Sequence, residues 1–75
     1  MNCTIKLIWS EDEKFWYSKS MDERFEMTLE SDSLDILMNR VRVAVPDILE
    51  LAGYTGDIEL SFVIECSYKL GAVAS

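Results

Sequence analysis

Residues 34–52 carry the run LDILMNRVRVAVPDILELA, in which apolar side chains recur with the 3.6-residue period of an α-helix. One stripe along this helix collects Leu34, Leu37, Met38, Val41, Val45, Ile48, Leu49 and Ala52. Ser31, Asp32 or Ser33 can cap the first turn, because each offers a side-chain oxygen to the free amides there. Gly53 can end the helix just past the last periodic residue. The run therefore predicts one amphipathic helix with a single apolar face.

Pro46 lies inside this pattern. Proline has no amide hydrogen, and its ring clashes with the carbonyl of Arg42 in a straight helix. Two outcomes fit: a kink that preserves the stripe, or a break after which Pro46 opens a second short helix. The stripe continues on the same face beyond Pro46, which favours the kink.

On both sides of the helix the pattern changes to the period of two that is typical of strands. Four such runs occupy residues 4–9, 15–20, 25–30 and 58–66. The polar loop at 10–14 predicts a hairpin, and short loops between the first three strands predict an antiparallel meander. The order β-β-β-α-β predicts one two-layer α+β domain over residues 1–75, with the helix on one face of a small antiparallel sheet. We expect the tail at about 70–75 to be flexible.

The net charge of the chain and its lack of histidine limit the classes of function that it can have. The chain has 75 residues with seven basic and fourteen acidic side chains, a net charge of −7, and no histidine. This balance argues against direct nucleic-acid binding and favours a basic protein as partner. Without histidine, nucleophilic catalysis by a serine or cysteine paired with histidine is excluded. The sequence predicts no enzyme, no cofactor and no metal site.

The two cysteines and the termini bear on location. Cys3 and Cys66 can form a disulfide, but in a chain without a secretory signal they more often stay reduced in the core. No run is apolar and long enough for a signal peptide or a membrane span. The sequence therefore predicts a soluble cytoplasmic protein.

Acidic side chains concentrate in the first half of the chain, where residues 1–35 hold nine acids and four bases. The predicted acidic surface consists of Glu11, Asp12, Glu13, Asp22, Glu23, Glu26 and Glu30. It can dock a basic partner, while the hairpin tip can equally be a solvated turn that keeps the protein soluble. A weak Mg²⁺ or Ca²⁺ site at the tip is disfavoured, because adjacent carboxylates lack the alternating spacing of a calcium loop.

Three adjacent aromatic residues, at 15–17, must point to both faces of their strand. Since one helix covers one face, the other face is expected to expose apolar side chains. Ile8, Trp16 and Val63 are the predicted members of this patch. A symmetric homodimer is the first candidate to cover it, and a partner protein is the second. The alternatives are a single exposed tryptophan or a tail that folds over it.

Three segments resemble the HicB-like domains: IKLIWSEDEKFWYSKS at 5–20, LESDSLDIL at 29–37 and VPDILEL at 45–51. The first is similar to their opening hairpin and the second to their entry from strand to helix. The third looks like the proline-bearing helix end of one small, stand-alone and uncharacterised branch. The resemblance covers about residues 5–64, and the order and spacing of the segments carry it.

This resemblance implies a partial ribonuclease-H-like fold without that fold's catalysis. In characterised HicB proteins the acidic domain covers a small basic ribonuclease toxin, HicA, and a separate segment binds DNA. The chain departs from the family at 21–25, where a glycine is frequent between the strands. It also ends at Ser75, which leaves no room for a DNA-binding module. The resemblance therefore implies an antitoxin-like interaction domain that binds a protein and is not expected to bind nucleic acid directly.

Overall fold

The computed structural model describes residues 1–73, and part of the tail for which flexibility is predicted lies outside them. The elements are β1 (Asn2–Ser10), β2 (Phe15–Ser20), β3 (Glu30–Ser31), α1 (Leu34–Leu51) and β4 (Glu59–Glu65). The four strands form one sheet in the order β3-β2-β1-β4. The predicted α+β class and the order β-β-β-α-β are confirmed.

The sheet is mixed, so the prediction of a wholly antiparallel sheet is wrong for β4. β1 pairs with β2, and β2 with β3, in antiparallel fashion, whereas β4 lies parallel to β1. The reason is the crossover through α1. Three strands of alternating direction are followed by a helix that returns the chain across the sheet, so the next strand runs in the direction of β1.

β3 has only two residues, although the alternation had predicted a strand over 25–30. Phe25 and Met27 are nevertheless buried, as that alternation requires. Ser18 holds this segment to β2: its amide donates to the Leu29 carbonyl (2.8 Å), and its hydroxyl accepts the Leu29 amide (2.9 Å). A side-chain hydrogen bond thus replaces part of the regular strand ladder.

α1 begins and ends where its sequence predicts. The Ser33 hydroxyl caps the first turn by accepting the Ile36 amide. At the other end Gly53 adopts a φ of 88° and donates its amide to the Glu50 carbonyl. A residue with a side chain is strained in that conformation, which is why glycine serves as the stop. Pro46 lies inside the continuous helix, so it does not break it.

The core forms between β1 and α1. Nine apolar side chains are buried there: Cys3, Ile5, Leu7, Phe25, Met27, Leu37, Val41, Val45 and Leu49. Full burial of one such aliphatic side chain stabilises the fold by about 1.5–3 kcal/mol. The apolar face that the two-residue period gives β1 therefore packs against the apolar face that the 3.6-residue period gives α1, and together they form one layer.

Ser18→Ala should destabilise the protein by about 1–2 kcal/mol, because the part-buried Leu29 amide loses its acceptor, the hydroxyl of the buried Ser18. Ser61→Ala is the matched control, since Ser61 is an exposed strand serine. Urea unfolding followed by circular dichroism measures both. Equal midpoints for the two variants would contradict the structural role of the Ser18 hydroxyl.

Pro46→Ala should raise the free energy of unfolding by about 1–2 kcal/mol. The replacement restores a helical amide and removes the ring clash, and the greater freedom of the unfolded chain offsets only part of the gain. Asp47→Ala, at the neighbouring exposed helix position, should gain less than about 0.7 kcal/mol. Thermal unfolding distinguishes the two, and a loss of stability in Pro46→Ala would show that the proline ring stabilises the helix end.

Candidate functional site

The strand register assigns each side chain to one face of the sheet. Trp9 lies opposite Trp16 on the face that α1 covers, and Ile8 lies opposite Tyr17 on the other face, which we call the open face. The two tryptophan rings are 5.4 Å apart between centroids, and Trp16 packs against the core. The short loop between β1 and β2 sets this register, because it pairs Ser10 with Phe15.

The predicted patch of Ile8, Trp16 and Val63 is therefore divided between the two faces. Ile8 and Val63 share the open face, and Val63 is 46% exposed, but Trp16 belongs to the covered face. Phe15 and Tyr17 take its place on the open face, with ring centroids 6.2 Å apart. Period two alone shows that adjacent aromatics alternate, and only the register shows which of them is outside.

Charged side chains border these apolar residues. Lys6 on β1 forms an ion pair with Glu65 on β4, with 3.8 Å between Nζ and Oε1. Glu30 on β3 lies opposite Tyr17, and Lys19 lies opposite Lys6. The open face thus has a small apolar centre on β1 and β2 with a charged border, the usual arrangement of a protein-binding surface.

At the β1–β2 hairpin, one of the predicted docking carboxylates has a structural task. Glu11 accepts a hydrogen bond from the Trp9 indole (2.8 Å) and forms an ion pair with Lys14. The hydrogen bonds from Lys14 and Trp9 lower the pKa of Glu11. Asp12 and Glu13 are exposed. The hairpin therefore offers two free carboxylates rather than three.

Asp22 is also engaged within the chain. Its carboxylate accepts both the backbone amide (2.9 Å) and the guanidinium Nε (2.8 Å) of Arg24. Arg24 in turn donates to the Asn2 carbonyl (2.8 Å) and lies over the Tyr54 ring, 5.6 Å from its centroid. Asp22 and Arg24 therefore tie the loop after β2 to the start of β1 and to the segment after α1.

The predicted acidic surface is thus divided along β2. Asp12 and Glu13 lie at the hairpin end, whereas Glu23 lies beyond the opposite end of this six-residue strand. Glu26 and Glu30 lie between, exposed in the segment that runs beside β2. The residues that remain free for a partner therefore follow one edge of the sheet.

The remaining features to consider are a cavity, possible metal ligands and possible membrane-spanning helices. A cavity of about 290 Å³ near the end of α1 has a mixed lining, formed by Met1, Pro46, Leu49, Glu50, Tyr54, Thr55, Gly56 and Ile58. Among residues 1–73, no group of three or more cysteine or acidic side chains is placed to hold a metal ion. Within the same residues, no helix is long and apolar enough to cross a membrane.

Both cysteines are free thiols. Cys3 is buried, in agreement with its predicted core position, and burial raises the pKa of its thiol. Cys66 is exposed beyond the end of β4, so the prediction of a core position for it is wrong. Cys66 continues the alternation of β4 in the sequence, but it lies beyond the part of the sheet that α1 covers.

Asp22→Asn should flatten the loss of stability in acid. The Arg24 hydrogen bonds hold the pKa of Asp22 at about 2, below its ordinary 3.8, so this carboxylate stabilises the fold above pH 3.8. That contribution disappears as the pH falls through about 2. Melting temperatures between pH 2 and 6 test this, with Asp32→Asn as an exposed control. Parallel curves for the wild type and Asp22→Asn would contradict it.

Comparison with known proteins identifies the chain only at the level of its family. Residues 2–71 match the family described as Domain of unknown function (DUF1902). No curated protein and no solved structure matches the chain. The match spans nearly all of the described residues, including every strand and the helix. The chain therefore belongs to the DUF1902 family, a family of unknown function.

Proposed function

We propose that this chain is a non-enzymatic, antitoxin-like interaction domain that binds a small basic protein such as a HicA-like toxin. The observation that carries the proposal is the open face, where Ile8, Phe15 and Tyr17 form an apolar centre without a covering helix. Binding removes this apolar surface from water, which is the main favourable term in most protein association.

Charge favours a basic partner. The chain has a net charge of −7, and Glu23, Glu26 and Glu30 are exposed along the edge of the sheet beside β2. A field of this sign speeds the encounter with a basic protein and disfavours acidic ones. Glu30 lies directly opposite Tyr17, so the acidic edge and the apolar centre form one continuous surface.

The resemblance to HicB-like domains supports the same role, because their acidic domain covers a basic ribonuclease toxin. The segment at 5–20 that carries much of this resemblance includes β2 and most of β1, the strands that build the open face. A cytoplasmic location is part of the proposal, as is a role in a toxin–antitoxin pair. The DUF1902 family name adds no function of its own.

A second candidate is a structural domain whose partner is another copy of itself. β4 favours it, because Val63 and Ile64 are 46% and 51% exposed at the free edge of the sheet. A gene for a small basic protein beside the gene for this chain would favour the first candidate.

Glu26→Lys combined with Glu30→Lys should weaken partner binding at least about tenfold, because attraction at the acidic edge becomes repulsion. The partner is a small basic protein, either encoded by a neighbouring gene or captured from the native lysate with a tagged chain and then purified. Calorimetry at two salt concentrations measures the affinity, and the difference between variant and wild type should shrink at high salt.

Asp47→Lys combined with Glu50→Lys is the control, since it makes the same charge change on exposed positions of α1. We expect this variant to bind within about threefold of the wild type, because it changes only the long-range field. Equal weakening by both double variants would show that net charge, and not this surface, determines binding. Failure to obtain any basic partner would favour the self-associating domain.

A further inference from the structure

The alternation of β4 extends well past the strand itself. β4 ends at Glu65, yet the mostly apolar positions of its alternation in the sequence are Ile58, Leu60, Phe62, Ile64, Cys66, Tyr68 and Leu70. Those between them are Glu59, Ser61, Val63, Glu65, Ser67 and Lys69. Such a pattern is typical of a strand of thirteen residues with one face buried, nearly twice as long as the seven-residue β4.

The second half of this pattern has no partner within residues 1–73. Residues 66–73 are exposed and form no regular secondary structure. Tyr68 is 59% exposed and Leu70 93% exposed. The neighbouring Cys66 side chain raises the pKa of Tyr68. The radius of gyration is 15.0 Å, against about 11 Å for a compact chain of this length.

The free edge of β4 also presents unpaired backbone groups. Glu59 donates its amide to the carbonyl of Met1, the residue just before β1 (2.8 Å). Because alternate residues of a strand direct their amides to opposite sides, the amides of Leu60, Phe62 and Ile64 point away from β1. Residues 58–68 contain neither proline nor lysine, the residues that commonly protect an edge strand.

We propose that a second copy of this chain pairs with this edge in antiparallel fashion, residues 58–70 against residues 58–70, with the two-fold axis at Ile64. This register places Ile58 opposite Leu70, Leu60 opposite Tyr68, and Phe62 opposite Cys66 on the covered face. On the open face it places Glu59 of each copy opposite Lys69 of the other. Two four-stranded sheets thereby become one sheet of eight strands.

Charge disfavours two of the other registers that keep like faces together. Centring the pair on Phe62 places Glu59 opposite Glu65, and centring it on Glu65 brings the two copies of that residue face to face. Like charges directly opposite are destabilising. Both registers are therefore disfavoured.

A register centred on Val63 avoids these like-charge pairs but leaves the side chains at the end of the segment without matching neighbours. It places Leu70 opposite Gly56 and leaves Glu59 opposite Ser67. The register centred on Ile64 gives Leu70 an apolar neighbour and pairs each Glu59 with a lysine. It gives the apolar side chains of the covered face apolar neighbours and pairs Glu59 with Lys69, while Glu65 lies opposite Val63.

This inference does not depend on the proposed partner. The pairing uses the β4 edge and leaves Ile8, Phe15 and Tyr17 on the open face uncovered. A dimer without a basic partner and a monomer that binds one are separate results, so each proposal can fail alone.

Ile64→Pro should convert the dimer to a monomer. The proline removes an edge amide that β1 does not use, and proline is tolerated at such edge positions. Ile64→Thr keeps the amide and the β-branched side chain and should remain dimeric. Light scattering coupled to size exclusion gives the mass, and circular dichroism confirms that both variants fold. A monomeric wild type, or a dimeric Ile64→Pro, would overturn the proposal.

A charge exchange tests the register without altering the backbone. Glu59→Lys places two lysines opposite each other at two symmetric positions and should raise the dimer dissociation constant about tenfold. Adding Lys69→Glu should restore it to within about threefold, as each copy again pairs opposite charges. Sedimentation equilibrium measures both values, and a double variant as weak as Glu59→Lys would overturn the pairing.

Disulfide trapping locates the two-fold axis. Ile64→Cys in a Cys66→Ser background should form a symmetric cross-link under mild oxidation, because the two Cα atoms lie within disulfide reach at the axis. Val63→Cys in the same background is the control and should cross-link at least about tenfold more slowly, since its counterpart is two residues away. Faster cross-linking through Val63→Cys would overturn the register centred on Ile64.

Discussion

The packing of one helix on a four-stranded sheet is the constraint on which the rest of this structure depends. α1 buries Leu37 and Val41 against the side chains of β1, where Ile5 and Leu7 are fully inaccessible to water. A single helix can cover only one face of a sheet, and here it leaves β4 partly uncovered. Within residues 1–73 the fold therefore leaves the open face and the outer edge of β4 uncovered, and the two candidate interactions use these surfaces.

The acidic side chains divide into two groups with different tasks. Glu11 and Asp22 bind Lys14 and Arg24 and so fix the two loops at the ends of β2. Other carboxylates of the same region remain exposed and make the surface acidic. The number of acidic residues in a stretch of sequence does not distinguish these groups, because the same residue types, Asp and Glu, serve both tasks. The hydrogen-bond partners distinguish them.

The two surfaces are compatible with each other. Pairing through β4 would extend the sheet sideways and place two open faces on the same side of one eight-stranded layer. A partner docked over Tyr17 would lie on β1 and β2, away from the two-fold axis at Ile64. Self-association would then present two equivalent binding sites to a partner and increase the apparent affinity for one that is itself dimeric.

Local patterns in the sequence determined α1, the three residues at 31–33 among which its cap lies, its stop at Gly53, and the presence of strands around it, because each depends on neighbours within a few residues. Tertiary structure decided what depends on distant partners. The parallel placement of β4 follows from the crossover, and the outward turn of Tyr17 in place of Trp16 follows from the hairpin register. The two-layer architecture was thus accessible from residue order, whereas the membership of each surface required the pairing of strands. A shift of one residue in that pairing exchanges the two faces, and no local pattern records it.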